Sequence, residues 1–246
     1  MDLANKVALI TGGKRIGQGI AGELAARGVD VAVSYARSKE EAEQTVALVR
    51  AAGRRGAAFQ ADLSHADACA TLVAQTVEML GRLDILIHMA SIYERRAFDD
   101  TGAADWDVVI NVELRAAFLC ARAAVPYMRK QGGGRIVNFS DWLPRSGRPR
   151  YEGYLLYYVA KGGLMALSEA LALELAGDNI LVNAVAPGPI LAPPGTTDDE
   201  LRAVEKATPL GRWGGALEIA KAVMFFLESD FVTGETLRVD GGRHVK

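Results

Sequence analysis

Tyr157 and Lys161 stand four residues apart in the stretch Y-Y-V-A-K. On a helix that spacing puts both side chains on one face. An ammonium beside a phenol favours the phenolate, so Lys161 is expected to lower the pKa of Tyr157. A phenol tuned in this way can trade protons near neutral pH. Tyr158 lies three residues from Lys161, so helix spacing alone leaves both tyrosines open. Asn111 and the polar pair Ser140 and Asp141 precede them.

A second chemistry-bearing stretch opens the chain: Thr11-Gly12-Gly13-Lys14-Arg15-Ile16-Gly17-Gln18-Gly19, between an apolar run and a helical pattern. Glycines let the backbone turn sharply beside a pyrophosphate, and the helix N-terminus attracts the anion. An NAD site would place an acid at the end of the second strand, for the ribose hydroxyls. That end reads Ser34-Tyr35-Ala36-Arg37-Ser38, without an acid, and Asp30 lies at the opposite end of the strand. Arg37, with Lys14 or Arg15, is placed to hold a 2′-phosphate by charge-assisted hydrogen bonds. The expected cofactor is therefore NADPH/NADP.

These residues need a scaffold. Apolar runs at 7–10, 30–35, 57–61, 84–88, 135–140, 181–185 and 236–239 read as strands, most of them apolar on both faces. Helical patterns at 17–27, 39–52, 66–80, 106–130, 155–176 and 216–228 alternate with them. That alternation predicts an α/β fold: one Rossmann-type, doubly wound parallel sheet of about seven strands, a single domain over 1–246. Residues 142–153 and 187–197 break the rhythm and fall at the carboxyl edge of the sheet, where ligands bind in such folds.

Half of the 246 residues are hydrophobic and a quarter are charged, as in ordinary globular domains with a sizeable core. A net charge of −2 offers no general attraction to nucleic acid or anionic membrane. No apolar run is long enough to span a bilayer, and no signal peptide is apparent. Cys69 and Cys120 read as reduced core thiols. The histidines lack the spaced partners of a metal site, so none is expected. A cytoplasmic protein acting on a small molecule is the expectation. The helices over 155–176 and 114–128 carry more apolar residues than one packed stripe requires, which predicts a homo-oligomer, a dimer or tetramer.

The whole chain resembles the short-chain dehydrogenase/reductase family. The resemblance lies in Thr11 to Gly17, Asp62-Leu63, Asn111, Tyr157-x-x-x-Lys161, Asn183-x-x-x-Pro187-Gly188, and T-G-E-T-L-R-V-D-G-G ending at Gly242. It implies that Tyr157 donates a proton while nicotinamide delivers hydride to a C=O or C=N carbon. Lys161 would bind the nicotinamide ribose, and Asn111 would kink its helix and hold a water. Gly12, Ile16, Gly17, Ala90, Pro187 and Gly188 would line the cofactor, and Asp62 with Leu63 would meet the adenine. Arg15-Ile16-Gly17 is aligned with the family's G-I-G, which leaves the turn one residue short.

Some departures resemble the pteridine reductase branch: Arg15 in the turn, Ala90-Ser91-Ile92-Tyr93 after the fourth strand, and Asp141 where the family carries serine. They imply a flat heterocycle stacked on Tyr93, with Ser140 and Trp142 beside it and an Asp141–Tyr157 pair serving a ring nitrogen. Asp141 is equally open to a purely structural bond to a loop backbone. The alternatives are a 3-oxoacyl-carrier-protein reductase, a general carbonyl or sugar dehydrogenase, and a non-catalytic NADP(H)-sensing protein. Arg95, Arg96, Arg145, Arg148 and Arg150 are expected near the cleft mouth, mainly as solvated surface.

Overall fold

A computed structural model describes residues 1–146 and 151–246. The strands β1 (Val7–Gly12), β2 (Asp30–Tyr35), β3 (Gly56–Gln60), β4 (Ile85–Met89), β5 (Gly134–Phe139), β6 (Ile180–Pro187) and β7 (Thr236–Val239) form one sheet, ordered β3-β2-β1-β4-β5-β6-β7. Every pairing is parallel. The order reverses between β1 and β4, and the two neighbours there leave in opposite directions, opening a crevice at their carboxyl ends.

Helices cover both faces. Alternate residues of β1 show why its run is apolar throughout. Ala8 and Ile10 join a core with α1 (Ile16–Ala26), α2 (Lys39–Ala51) and α9 (Ala216–Glu228). Val7 and Leu9 join the opposite core, with α3 (Ala66–Leu80), α5 (Ala116–Lys130) and α7 (Leu155–Leu175). Cys69 and Cys120 meet across α3 and α5 as free, buried thiols, and each perturbs the other. Asp30 sits at the amino edge, paired with Arg54 and Arg55, away from the crevice. Among the described residues no helix is long and apolar enough to cross a membrane.

Three elements differ from expectation. The long central helix is divided into α4 (Ala103–Ile110), a π-helical turn (Asn111–Arg115) and α5. A short helix, α6 (Trp142–Arg145), follows β5, and α8 (Asp198–Ala207) occupies part of the proline-rich connection after β6. α8 begins with a capping box: Glu200 N–H donates to Thr197 Oγ1, and Glu200 accepts from Thr197 N–H. Arg148 and Arg150 lie outside the described residues.

Candidate active site

The chain leaves β5 at Phe139 and reaches Asp141, whose carboxylate has two tasks. Its Oδ1 accepts from Leu143 N–H at 2.9 Å, capping α6. Its Oδ2 accepts from the Tyr157 hydroxyl at 3.0 Å. The structural and the chemical readings of Asp141 therefore describe different oxygens of one group. The α7 helix supplies Tyr157 and, one turn on, Lys161. The ammonium of Lys161 donates to Phe139 C=O at 2.8 Å and lies 2.8 Å from Glu113 Oε2. It stands 5.4 Å from the centre of the Tyr157 ring. Tyr157, not Tyr158, is the phenol aimed at this cluster.

The proton balance reverses the expectation for Tyr157. Its pKa is raised well above the ordinary tyrosine value, by burial first and then by the carboxylates of Asp141 and Glu113. Glu113, 2.8 Å from the Lys161 ammonium, opposes its pull on the phenol. Burial also raises Asp141, against the opposing pull of its bonds to Leu143 and Tyr157. Tyr157 is thus a phenol that keeps its proton until a stronger acceptor arrives.

Glu113 was invisible as a site residue in the sequence. Asn111 opens the π turn, so the helix does break there, but the side chain that meets Lys161 belongs to Glu113, two residues on. Glu113 is fully buried, and its Oε1 accepts from Ser91 Oγ at 2.6 Å and Ile92 N–H at 2.7 Å. The available signal was an acid set between two apolar residues, Val112 and Leu114.

Two residues expected to touch substrate are turned inward. Ser140 is buried and donates to Lys161 C=O at 2.8 Å, fixing α7 to the end of β5. Trp142 is 4% exposed, with the Arg243 guanidinium 5.9 Å from its ring. Both act as supports. Tyr93 does stand at the mouth, half exposed. One of its faces is stacked on Tyr154 at 4.6 Å, and it meets Tyr157 edge-on at 4.9 Å. Of the arginines, Arg145 pairs with Glu169 and Glu235, and Arg96 with Asp105.

Across the crevice the glycine turn has the shape of a phosphate cradle. A Cβ at Gly12 would stand 2.9 Å from Ala90 Cα, so only glycine lets β1 approach the segment after β4 this closely. The α1 helix starts at Ile16 with no side-chain cap; Gly17 N–H turns back to Lys14 C=O at 2.9 Å, and the positive end of the helix still favours an anion there. Ile16 and Gly17 form its first turn, in keeping with the alignment of Arg15-Ile16-Gly17. Arg15 takes the positive φ (28°) that favours glycine, and its guanidinium donates to Ala192 C=O at 3.0 Å. Lys14 turns the other way, to Glu41 on α2 at 3.2 Å. Lys14 thus leans toward α2, the helix that follows the exposed Arg37, while Arg15 leans toward the segment after β6. Asp62 is held below the usual carboxylate range by Ser64, with Arg37 adding to the effect, while Leu63 is buried in the core. Pro187 closes β6, and Gly188 packs so tightly on Asp240 that a Cβ would lie 2.5 Å away.

The family model described as enoyl-(acyl carrier protein) reductase matches residues 12–244. The chain belongs to the short-chain dehydrogenase/reductase family. The 3-oxoacyl-[acyl-carrier-protein] reductase FabG of Staphylococcus aureus (strain Mu50) is 38% identical over 98% of this chain and 98% of its own. The short-chain reductase protein NovJ of Streptomyces niveus is 37% identical over 96% of this chain and 93% of its own. A crystal structure of a short chain dehydrogenase from Burkholderia cenocepacia, in complex with NADP, superposes with a TM-score of 0.91 at 34% identity, covering 99% of both chains. This short-chain dehydrogenase/reductase is accordingly an oxidoreductase with the Rossmann-like fold of its family and a nicotinamide cofactor.

Proposed function

We propose that the chain is an NADPH-dependent reductase of a C=O or C=N group in a small molecule, with Tyr157 as the proton donor. The observation that carries this reading is the 3.0 Å hydrogen bond from the Tyr157 hydroxyl to an Asp141 carboxyl whose proton affinity is itself raised. When bound, NADPH supplies the hydride. Tyr157 gives its proton to the oxygen or nitrogen of the reduced bond, and a proton taken up from solvent returns to the phenolate by way of the Asp141 carboxylate beside it. Lys161, held from Phe139 and Glu113, faces the nicotinamide ribose. Arg37 and Lys14 take the 2′-phosphate, with support from the NADP in the Burkholderia relative.

The Asp141–Tyr157 pair favours a C=N acceptor of the pteridine kind, because a carboxyl beside the phenol also serves a basic ring nitrogen. The half-exposed Tyr93 ring offers such a heterocycle an edge. The second reading, a 3-oxoacyl thioester, is supported by the FabG relative. NADPH oxidation followed by absorbance with dihydrobiopterin and with an acetoacetyl thioester separates the two. Tight NADPH binding with no oxidation by either compound, or by a broad carbonyl panel, would overturn the reductase reading.

The chain assembles as a dimer or tetramer through α5 and α7. Support comes from Phe118, Leu155, Val159 and Leu173, large apolar residues that these helices leave exposed. Light scattering that returns a monomer at micromolar concentration would refute this assembly.

A further inference from the structure

We propose that Glu113 is a positioning residue of the reduction site: its carboxylate anchors the Lys161 ammonium toward Phe139 and opposes the pull of its charge on the Tyr157 phenol, leaving the Tyr157 proton under the control of Asp141. This rests on the reductase reading for its catalytic meaning, but its physical content is independent of any ligand.

The geometry is specific. Glu113 Oε2 lies 2.8 Å from Lys161 Nζ, and both side chains are at most 4% exposed. Its Oε1 takes two further donors, Ser91 Oγ and Ile92 N–H, from the segment that leads to Tyr93. A buried carboxylate with three partners is held firmly, and it weakens what its ammonium partner can do to a phenol nearby. The charged and titratable groups around Glu113 come from every neighbouring element. Lys161 and Tyr157 face it from α7, Asp141 from the end of β5, and His88 from β4, while the segment beyond β4 meets it through the uncharged Ser91 and Ile92. Burial pushes His88 down to about 3, so it is neutral and contributes no charge at working pH. Arg115, on the same π turn, points away to Ser64 C=O. The π turn is what makes the arrangement available, since such insertions re-aim a side chain without ending the helix, and they cluster at functional sites.

The test is a spectroscopic titration of Tyr157 in the ligand-free protein, read as phenolate absorbance of each protein minus its Tyr157→Phe counterpart. Glu113→Gln removes the charge but keeps an accepting oxygen. Its Tyr157 midpoint is expected to fall by about one to three pH units, because the ammonium is now unopposed. Glu113→Asp, which keeps the charge, should stay close to the parent. If Gln does not fold at this position, Glu113→Asn makes the same measurement. An unchanged midpoint in the neutral variants, or an equal shift in Asp and Gln, overturns the proposal. The titration needs neither cofactor nor substrate, so failure to find turnover would count against the reductase reading alone. Where turnover is measured, the alkaline limb of the kcat profile should move with the midpoint in E113Q.

Discussion

The hydroxyl of Tyr157 and the carboxylate of Asp141 share a hydrogen bond of 3.0 Å, while the other oxygen of Asp141 caps a helix. Substitution at Asp141 should therefore separate two effects. Asp141→Asn preserves the cap, because its amide oxygen still accepts from Leu143 N–H, and should leave the melting temperature within a few degrees of the parent. Turnover should fall, because the phenolate loses the carboxylate that relays a proton back to it. Tyr157→Phe should remove about 10²–10⁴-fold in kcat with little change in NADPH affinity. Steady-state kinetics and fluorescence titration with NADPH measure both, and a fully active Tyr157→Phe protein would refute the assigned donor.

Arg37 follows the end of β2, where no acid is available for a ribose hydroxyl, and Lys14 reaches from the glycine turn to Glu41 on α2. Arg37→Asp should weaken NADPH strongly and NADH little, moving the ratio of kcat/KM toward NADH. Since the interaction is between exposed charges, the parent's preference for NADPH should shrink as salt is raised. A ratio indifferent to both changes would place the 2′-phosphate elsewhere.

His88 is a built-in acid sensitivity. Its ring Nδ1 lies 2.9 Å from Thr11 Oγ1, and burial with the nearby Lys161 charge lowers its pKa to about 3. The unfolded chain binds the proton from about pH 6.5 downward, and the native protein resists it. The neutral-histidine contribution is therefore complete above pH 6.5 and is lost as the pH falls toward 3. Its ceiling is about 5 kcal/mol. Urea unfolding across that range should show a declining free energy, and His88→Asn should flatten the decline.

Arg15 holds a backbone conformation that an L side chain resists, at a cost on the order of 1–3 kcal/mol. Arg15→Gly should relieve it and raise the melting temperature, or at least leave it unchanged despite the extra freedom of glycine in the unfolded chain. The bond to Ala192 is lost at the same time, so the connection that carries α8 should become more susceptible to proteolysis. A lower melting temperature would mean that the bond outweighs the strain.

The sheet was legible because its strands are apolar on both faces, so each run announced itself within two residues of its observed ends. The helices α3 and α9 carry their full pattern in the sequence. The π turn was not legible. The family resemblance drew attention to Asn111, which opens the turn, whereas the carboxylate that meets Lys161 belongs to Glu113, two residues on. The spacing of Tyr157 and Lys161 located the pair correctly but not its electrostatics, because the matching charge comes from another helix. Ser140 and Trp142 were misjudged for a related reason. Position at a strand end says that a residue is near the crevice, whereas rotamer and packing decide whether it faces inward.

The near-contact of Gly12 with Ala90 ties together what are usually adjusted as separate properties. The glycine turn and the stretch leading to Tyr93 lean on each other where Gly12 meets the Ala90 backbone, and the Thr11 hydroxyl, accepting from Met89 and Ala90 N–H, ties them further, so little is left to absorb a shift. Replacements made around residues 90–93 to admit a different compound should therefore alter how firmly the coenzyme is gripped, and selection for one trait drags the other with it.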